Sequence, residues 1–446
     1  MKKPLLLSAL LIASLTNGQT WQNLGTNGII SSEPIPLLSK LSIAITSDNV
    51  PYVSQIETAN FSQPSVKRLS GNGWAYNGVS INNNQNTYST SMALDNNNVP
   101  YIAFSYFDQT TSTNKSFVKK FDGTGWIQVG TTDFATGTIG DIILKIDSNN
   151  VPYVAYNGYG NPENIVIKKL VSNNWVTQTN ATTSTVLNFD FAISGTQPFV
   201  TFDQIVGQEV QVIAKKLVAN QWVNLSPSGV VNTIGTRPSL AFDSASNPVV
   251  AFLSGNNPDL IVKKYNSNTN SWDNLGATVA TVNIDKPKLA IGPNNITILA
   301  YKDIQNNGII NVKKWTGTTW ESITTPTSFE PIQEDFALAI GSDNIPYITY
   351  ATDTAVKAKF YGTTLATTQN EIFQDLKLCP NPTTGFLNIE TKESISKIVI
   401  TNLLGKTVFE SNDNFSKIDI SNLGTGIYLV KIQAEGLEKT YKISKI

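Results

Sequence analysis

The stretch Ser91-Met92-Ala93-Leu94-Asp95-Asn96-Asn97-Asn98-Val99-Pro100-Tyr101-Ile102-Ala103-Phe104 carries the plan of the chain. An apolar run meets an Asp-Asn turn, and a second apolar run follows from Pro-Tyr. After a polar loop come Val118-Lys119-Lys120, the turn Gly123-Thr124-Gly125 and Trp126. Apolar runs cut short by Asn, Asp and Gly read as strands and turns. The same order recurs from residue 41 to 361. Self-similarity at a fixed period is the mark of a repeat architecture.

The second-strand prolines are Pro51, Pro100, Pro152, Pro198, Pro248 and Pro346, with Thr297 holding the remaining place. Their mean spacing is about 49 residues, close to a four-stranded propeller blade. A basic residue of the third strand follows in step: Arg68, Lys120, Lys169, Lys216, Lys264, Lys314 and Lys359. The fourth-strand tryptophans are Trp74, Trp126, Trp175, Trp222, Trp272 and Trp320.

The last repeat stops at Phe360-Tyr361-Gly362, without its tryptophan. The missing strand is expected at the other end, where Gln19-Thr20-Trp21-Gln22-Asn23-Leu24-Gly25 matches Asn270-Ser271-Trp272-Asp273-Asn274-Leu275-Gly276. The expected fold is therefore all-β, a seven-bladed propeller closed by its N-terminal strand. Ring closure would remove the exposed sheet edges of an open array. Small residues such as Ala44, Ala93 and Ala241 suit the crowded axis, and tryptophan suits the broad outer strand. One lysine of each Lys-Lys pair is expected to pack its stem and keep its ammonium wet. The competing reading, a basic belt for a polyanion, sits poorly with a net charge of −1.

Composition narrows function further. The balance of 32 basic and 33 acidic residues gives no global attraction to nucleic acid. Histidine is absent, which removes the usual general base, metal ligand and pH switch together. One cysteine, Cys379, allows neither an internal disulfide nor a cysteine zinc site.

At the N-terminus, Lys2 and Lys3 precede the apolar run Pro4 to Leu15 and the small-residue stretch Thr16-Asn17-Gly18. Residues 1–18 read as a secretory signal peptide, so the mature chain would begin at the closing strand. No later stretch is apolar for long enough to span a membrane. The expected domains are a propeller over 19–365, a linker over 366–374 and a small β-sandwich over 375–446.

That last segment carries Cys379-Pro380-Asn381-Pro382 with Gly385, Asn402-Leu403-Leu404-Gly405, Asp419-Ile420-Ser421-Asn422-Leu423, Gly426-Ile427-Tyr428 and a lysine-rich end. These motifs, in this order, resemble the type A sorting domain of the type IX secretion system of Bacteroidetes. Cys379 departs from the family, which usually has an aromatic residue there. The resemblance makes Pro380, Asn381, Pro382, Gly385, Gly405, Gly426 and Tyr428 the sorting-motif residues. It implies passage through the type IX machinery, followed by release or attachment at the outer-membrane surface.

The repeats themselves match no named propeller family. Ligand contacts are expected on the loops between second and third strands, at Tyr106, Asp108, Tyr159, Asp203, Asp259, Asp303 and Asp353. Aromatics that stack on sugar rings and carboxylates that bond hydroxyls make this a carbohydrate-binding composition, although the same residues also serve as strand ends and turns. A second set of acids, Asp141, Asp190, Asp285, Glu334 and Asp335, enters the inner strands and could line the channel mouth. Paired carboxylates there could serve a glycosidase, and their oxygens could hold Ca²⁺. No other cofactor is indicated. Asp243-Ser244-Ala245 and Asp353-Thr354-Ala355 match a three-residue bacterial O-glycosylation pattern.

Sevenfold regularity without histidine or a catalytic motif leads to the expectation of a non-catalytic secreted propeller that binds a glycan or a protein. Two alternatives stand beside it: a carboxylate-dependent glycoside hydrolase or polysaccharide lyase, and a structural surface protein.

Overall fold

A computed structural model describes residues 19–362 and 376–446, apart from 37–38, 59–61, 79–80, 82–85, 136, 159–163, 183–184, 228, 232–233, 257, 282, 334, 392–394, 403–405, 413–415 and 435–436. The expected signal peptide and linker lie outside the described residues, as do Tyr159, Glu334 and Gly405. The chain divides into two units, one spanning Gln19–Tyr361 and the other containing Gly362–Ile446.

The larger unit is all-β and built of blade-like antiparallel sheets, six of them four consecutive strands in simple order. In the first sheet these are Ser42–Ile45, Pro51–Glu57, Gln63–Ser70 and Gly73–Tyr76. Corresponding sheets span 87–129, 139–178, 186–224, 235–274 and 284–322. The seventh holds Phe336–Ile340, Pro346–Ala351 and Val356–Gly362, and Thr20–Asn23 is its outermost strand. Second strands are almost wholly buried, because both faces meet neighbouring sheets; Val53, Ile102, Val154, Val200, Val250, Leu299 and Ile348 are at most 1% exposed.

Turn chemistry explains the regular hairpins. The Asp95 carboxylate accepts the Asn97 and Val99 amides at 2.9 Å each, and Asn98 takes a left-handed backbone (φ 61°). Asp147 with Asn150 and Asp243 with Ser246 repeat the arrangement. A carboxylate that mimics a backbone acceptor, and a small polar residue that tolerates the left-handed region, are what such a turn requires. The turn is longer than the tight Asp-Asn hairpin expected: the left-handed residue is Asn98, not Asn96.

Tryptophans stitch outer strands together. Five of the six indoles reach back towards the preceding sheet, Trp74 donating to the Leu24 carbonyl at 3.1 Å, Trp126 to Asn77 at 2.8 Å and Trp320 to Leu275 at 2.8 Å. Trp175 and Trp222 do the same to Val129 and Thr179. The Trp272 indole has no partner among the described residues.

The lysine pairs divide their labour. The member facing each second-strand core residue folds inward: Lys119 donates to the Ile81 carbonyl at 2.6 Å, Lys215 to Ala181 at 2.7 Å and Lys359 to Ser328 at 2.6 Å. These ammonium groups satisfy carbonyls of the loops between sheets, and burial pushes all three below the usual lysine value. Register also corrects one assignment. Lys359 faces Ile348 as Lys67 faces Val53, so it belongs to the row of Lys67 and not to that of Arg68.

In the smaller unit, Lys377–Cys379, Phe386–Glu390 and Lys417–Asp419 make one sheet. Thr407–Ser411, Ile395–Asn402, Gly426–Ala434 and Leu437–Lys445 make the other. Alternation puts Leu387, Ile398, Ile400, Val430, Ile432 and Ile443 inside, each fully buried.

Candidate functional site

Sheet register identifies one position that recurs on, or just before, the first strand of every one of these sheets. It lies two residues before Ser42, Ser91, Ile143, Asp190, Ser239, Lys288 and Ala337, which pair with equivalent second-strand residues. Its occupants are Lys40, Ser89, Asp141, Asn188, Arg237, Lys286 and Asp335. Three cations and two carboxylates thus share one level.

Several of them meet. Lys40, Tyr88, Asp141, Arg237, Asp285 and Lys286 line a cavity of about 790 Å³. A narrower one of about 270 Å³ continues past Lys40 and Asp141 between the first strands, where Lys145, Asp190, Lys288 and Asp335 reach it. The two form a funnel. In its mouth Lys40 pairs with Asp141 at 3.4 Å, and Arg237 with Asp285 at 2.7 Å. The small Ser89 on the intervening sheet leaves room for Lys40 to reach Asp141.

Backbone distortion aims two of the cations. First strands slip register between Thr236 and Ser239 and between Asp285 and Lys288, as β-bulges. Arg237 (φ 54°) and Lys286 (φ 50°) sit in these bulges, each just before a proline. A residue before proline favours extended backbone, and a long side chain rarely accepts positive φ. Such strain concentrates at functional sites, and bulges re-aim side chains. Buried Asp203 holds the first bulge from behind, accepting the Arg237 amide at 3.1 Å and the Asn188 amide at 2.7 Å.

The lysines differ electrostatically. Burial works against the Lys40 ammonium, yet Asp141 and Asp335 together outweigh it and raise its pKa. At Lys286 burial wins: Asp335 and Asp285 oppose it, Lys40 and Lys288 add to it, and the pKa falls. Burial also raises the Tyr88 phenol.

The expected site residues are dispersed. Tyr106 stacks between Phe104 and Phe117, both at 6.2 Å. Asp108 caps its own turn through Thr110 and Thr111. Asp303 does the same through Asn306 and also accepts from Asn311 on the next strand. Asp259 is half-buried at a strand start, and Asp353 is exposed. None of these, nor Asp203, lines the funnel. The second acid set fares differently: Asp141 and Asp285 reach the mouth, and Asp190 and Asp335 the narrow part. Lys40, Tyr88, Arg237 and Lys286 were not anticipated; Arg237-Pro238 and Lys286-Pro287, at one position in neighbouring repeats, were the available signal. Among the described residues, no group of three or more Asp, Glu or Cys side chains could hold a metal ion. In the glycosylation candidates, the Ser244 hydroxyl accepts from Asn295 at 2.8 Å, while Thr354 is exposed.

In the smaller unit, Asn381 clamps the last strand, donating to the Lys442 carbonyl at 3.1 Å and accepting the Ser444 amide at 2.9 Å. Gly385 packs against Ser421, where a Cβ would come within 3.1 Å. The Tyr428 hydroxyl donates to the Gly424 carbonyl at 2.9 Å. Residues 377–445 match the model of the secretion system C-terminal sorting domain. This segment is a type IX sorting domain. The sorting domain directs the protein to secretion or surface attachment through the type IX machinery. Among the described residues, no helix is long and apolar enough to cross a membrane.

No curated protein matches the sequence. Among solved structures, similarity extends to the ulvan lyase of polysaccharide lyase family PL25 bound to -[GlcA(1-4)Rha3S]- (13% identity, TM-score 0.49, 77% of this chain and 96% of that one). It extends also to the polysaccharide lyase Uly1 (7%, 0.48, 72% and 89%). A third is the α-L-arabinanase of Penicillium chrysogenum complexed with arabinobiose (10%, 0.46, 77% and 99%). The expectation of a non-catalytic binding propeller is not borne out, since these structures of similar fold are two polysaccharide lyases and an arabinanase. At such identities the likeness describes fold alone, so any chemistry must rest on this chain's own residues.

Proposed function

We propose that the larger unit is an exported polysaccharide lyase that cleaves an acidic glycan in the mouth of the funnel. The observation that carries this reading is the convergence of Lys40, Arg237 and Lys286 with Tyr88 in one cavity. Its charged lining carries one positive charge in excess while Lys286 is protonated, which attracts an acidic sugar, and none once Lys286 is the free amine that acts as base. Arg237 and Lys40 would neutralise the uronate carboxylate. Lys286, whose burial favours the free amine, would take the proton next to that carboxylate. The released electron pair forms a carbon–carbon double bond, the glycosidic carbon–oxygen bond breaks, and the leaving oxygen takes a proton from Tyr88. Asp141 and Asp285, each in an ion pair, would orient the two cations.

The reading includes a ring of seven blades closed by Thr20–Asn23, a leader over 1–18, a propeller over 19–365, a linker over 366–374 and the sorting unit over 375–446. Ring closure is supported by the pairing of Thr20–Asn23 with Val356–Gly362 and by contacts between the first strands of the seventh and first sheets. It draws further support from Asn49, which accepts from Ser342 of the seventh sheet at 2.9 Å.

The test is incubation of the full chain with soluble uronate-containing and neutral polysaccharides. Ultraviolet absorbance from an unsaturated product is the expected result. New reducing ends without that absorbance would point to hydrolysis, and neither signal would overturn the enzyme reading.

A further inference from the structure

Asp335 is the seventh-sheet occupant of the recurring position, and the only carboxylate among those seven that is buried, at 1% exposure. One oxygen, Oδ2, accepts the Leu41 amide of the first sheet at 3.1 Å. That amide directly follows Lys40. The other oxygen, Oδ1, is enclosed and has no hydrogen-bond partner among the described residues. Asp335 borders the narrow cavity together with Lys40 and Lys288, and Lys286 lines the mouth above it. Its charge is therefore met through space by lysines of the first and sixth sheets, one on either side of its own.

We propose that Asp335 is a positioning residue of the funnel: it anchors Lys40 through the Leu41 amide and supplies the negative charge that Lys40 and Lys286 share across the axis. Geometry makes the two tasks separable. An amide in place of the carboxylate keeps an oxygen for Leu41 and removes the charge, whereas alanine removes both. Electrostatic influence on the two lysines agrees with this, since Asp335 opposes the loss of charge that burial imposes on each. The other charged groups facing the pair are Asp141, Arg237, Asp285 and Lys288, with Lys145 and Asp190 farther along the axis. Asp141 and Asp285 remain in the variants, so the change isolates Asp335. An unpaired carboxylate in a low-dielectric site acts strongly on neighbouring cations, because little solvent screens it.

The proposal rests on the lyase reading only for its kinetic consequence. It is tested on the full chain by NMR titration of isotopically methylated lysines, with Lys40→Arg and Lys286→Arg assigning the signals and exposed Lys377 as internal control. Asp335→Asn is expected to keep the melting temperature near that of the parent and to move both lysine titrations to lower pH. Asp335→Ala is expected to move the titrations likewise and also to lower the melting temperature. If Asn leaves both titrations where they were, the charge role is wrong. If Ala melts like Asn, the Leu41 anchor is wrong. Should the enzyme be active, Asp335→Asn is expected to shift the acid limb of its pH profile downward. Lysine shifts without any turnover would leave the proposal standing and remove only the lyase reading.

Discussion

The indole of Trp21 donates to the carbonyl of Ile323 at 2.9 Å, across 302 positions of sequence. Its ring packs on Phe329 at 5.0 Å and Tyr361 at 5.5 Å, and the residue is 8% exposed. Trp21 thus stands to the sixth sheet as Trp74, Trp126, Trp175, Trp222 and Trp320 stand to the sheets before their own.

Trp21→Ala should therefore behave as a core truncation. Loss of a buried tryptophan costs about 3–5 kcal/mol, and the indole hydrogen bond goes with it. Denaturant unfolding should show a much lower midpoint, and deletion of residues 19–25 should be worse. An unchanged midpoint for the deletion would falsify the proposed ring closure.

Acid stability should depend on Glu57. It pairs with Lys67 at 2.8 Å, both side chains nearly buried, and accepts from the Tyr76 hydroxyl at 2.9 Å. Burial raises its pKa, but the bonds from Lys67 and Tyr76 outweigh that and hold it below the ordinary glutamate value of 4.5. A depressed folded-state pKa gives stability that is present above the unfolded-state value and is lost as pH falls through the folded one. Glu57→Gln should cost about 3–5 kcal/mol near neutrality, since it leaves Lys67 buried without its partner charge. The gap to the parent should close as pH drops below 4.5. Equal midpoints at neutral pH would refute it.

Gly130 should tolerate no side chain. Its φ is +88°, and a Cβ there would lie 2.4 Å from the Trp175 indole nitrogen. Left-handed backbone alone costs about 1–2 kcal/mol for an L-residue, and the clash adds to it. Gly130→Ala should lower the unfolding midpoint, while Gly123→Ala, with open space around it, should show the backbone cost alone.

Lys286→Gln should reduce turnover on an acidic polysaccharide by about 10²–10⁴-fold, the usual contribution of a general base. Arg237→Gln should mainly raise KM if it holds the ground-state carboxylate. Steady-state kinetics distinguish the two. Comparable loss of kcat in both variants would argue against the division of roles.

Removal of residues 377–446 should leave the larger unit folded and trap it inside the cell envelope. Fractionation and immunoblotting check this. Full export of the truncated chain would contradict the role of the sorting domain.

Much of this was legible from residues alone. Pro100, Lys120 and Trp126 recur because each blade-like sheet asks the same thing of its second, third and fourth strands. Asn381, Gly385 and Tyr428 marked the sorting domain, and each closes a tight contact there. The register of Lys359 was misjudged by one residue, since in an abbreviated repeat only strand pairing fixes which lysine faces Ile348. Asp108 and Asp303 looked like ligand contacts because a turn-capping carboxylate and a sugar-binding one are identical in sequence.

By itself, the sequence determined the repeat, the β class, the absence of histidine chemistry and the sorting domain, all of which depend on local pattern and composition. Only the tertiary structure decided the funnel. Lys40, Tyr88, Asp141, Arg237 and Lys286 lie on five different sheets, tens to hundreds of residues apart. They meet because first strands converge on an axis and two bulges turn their cations inward, and neither convergence nor bulge is written in any single repeat.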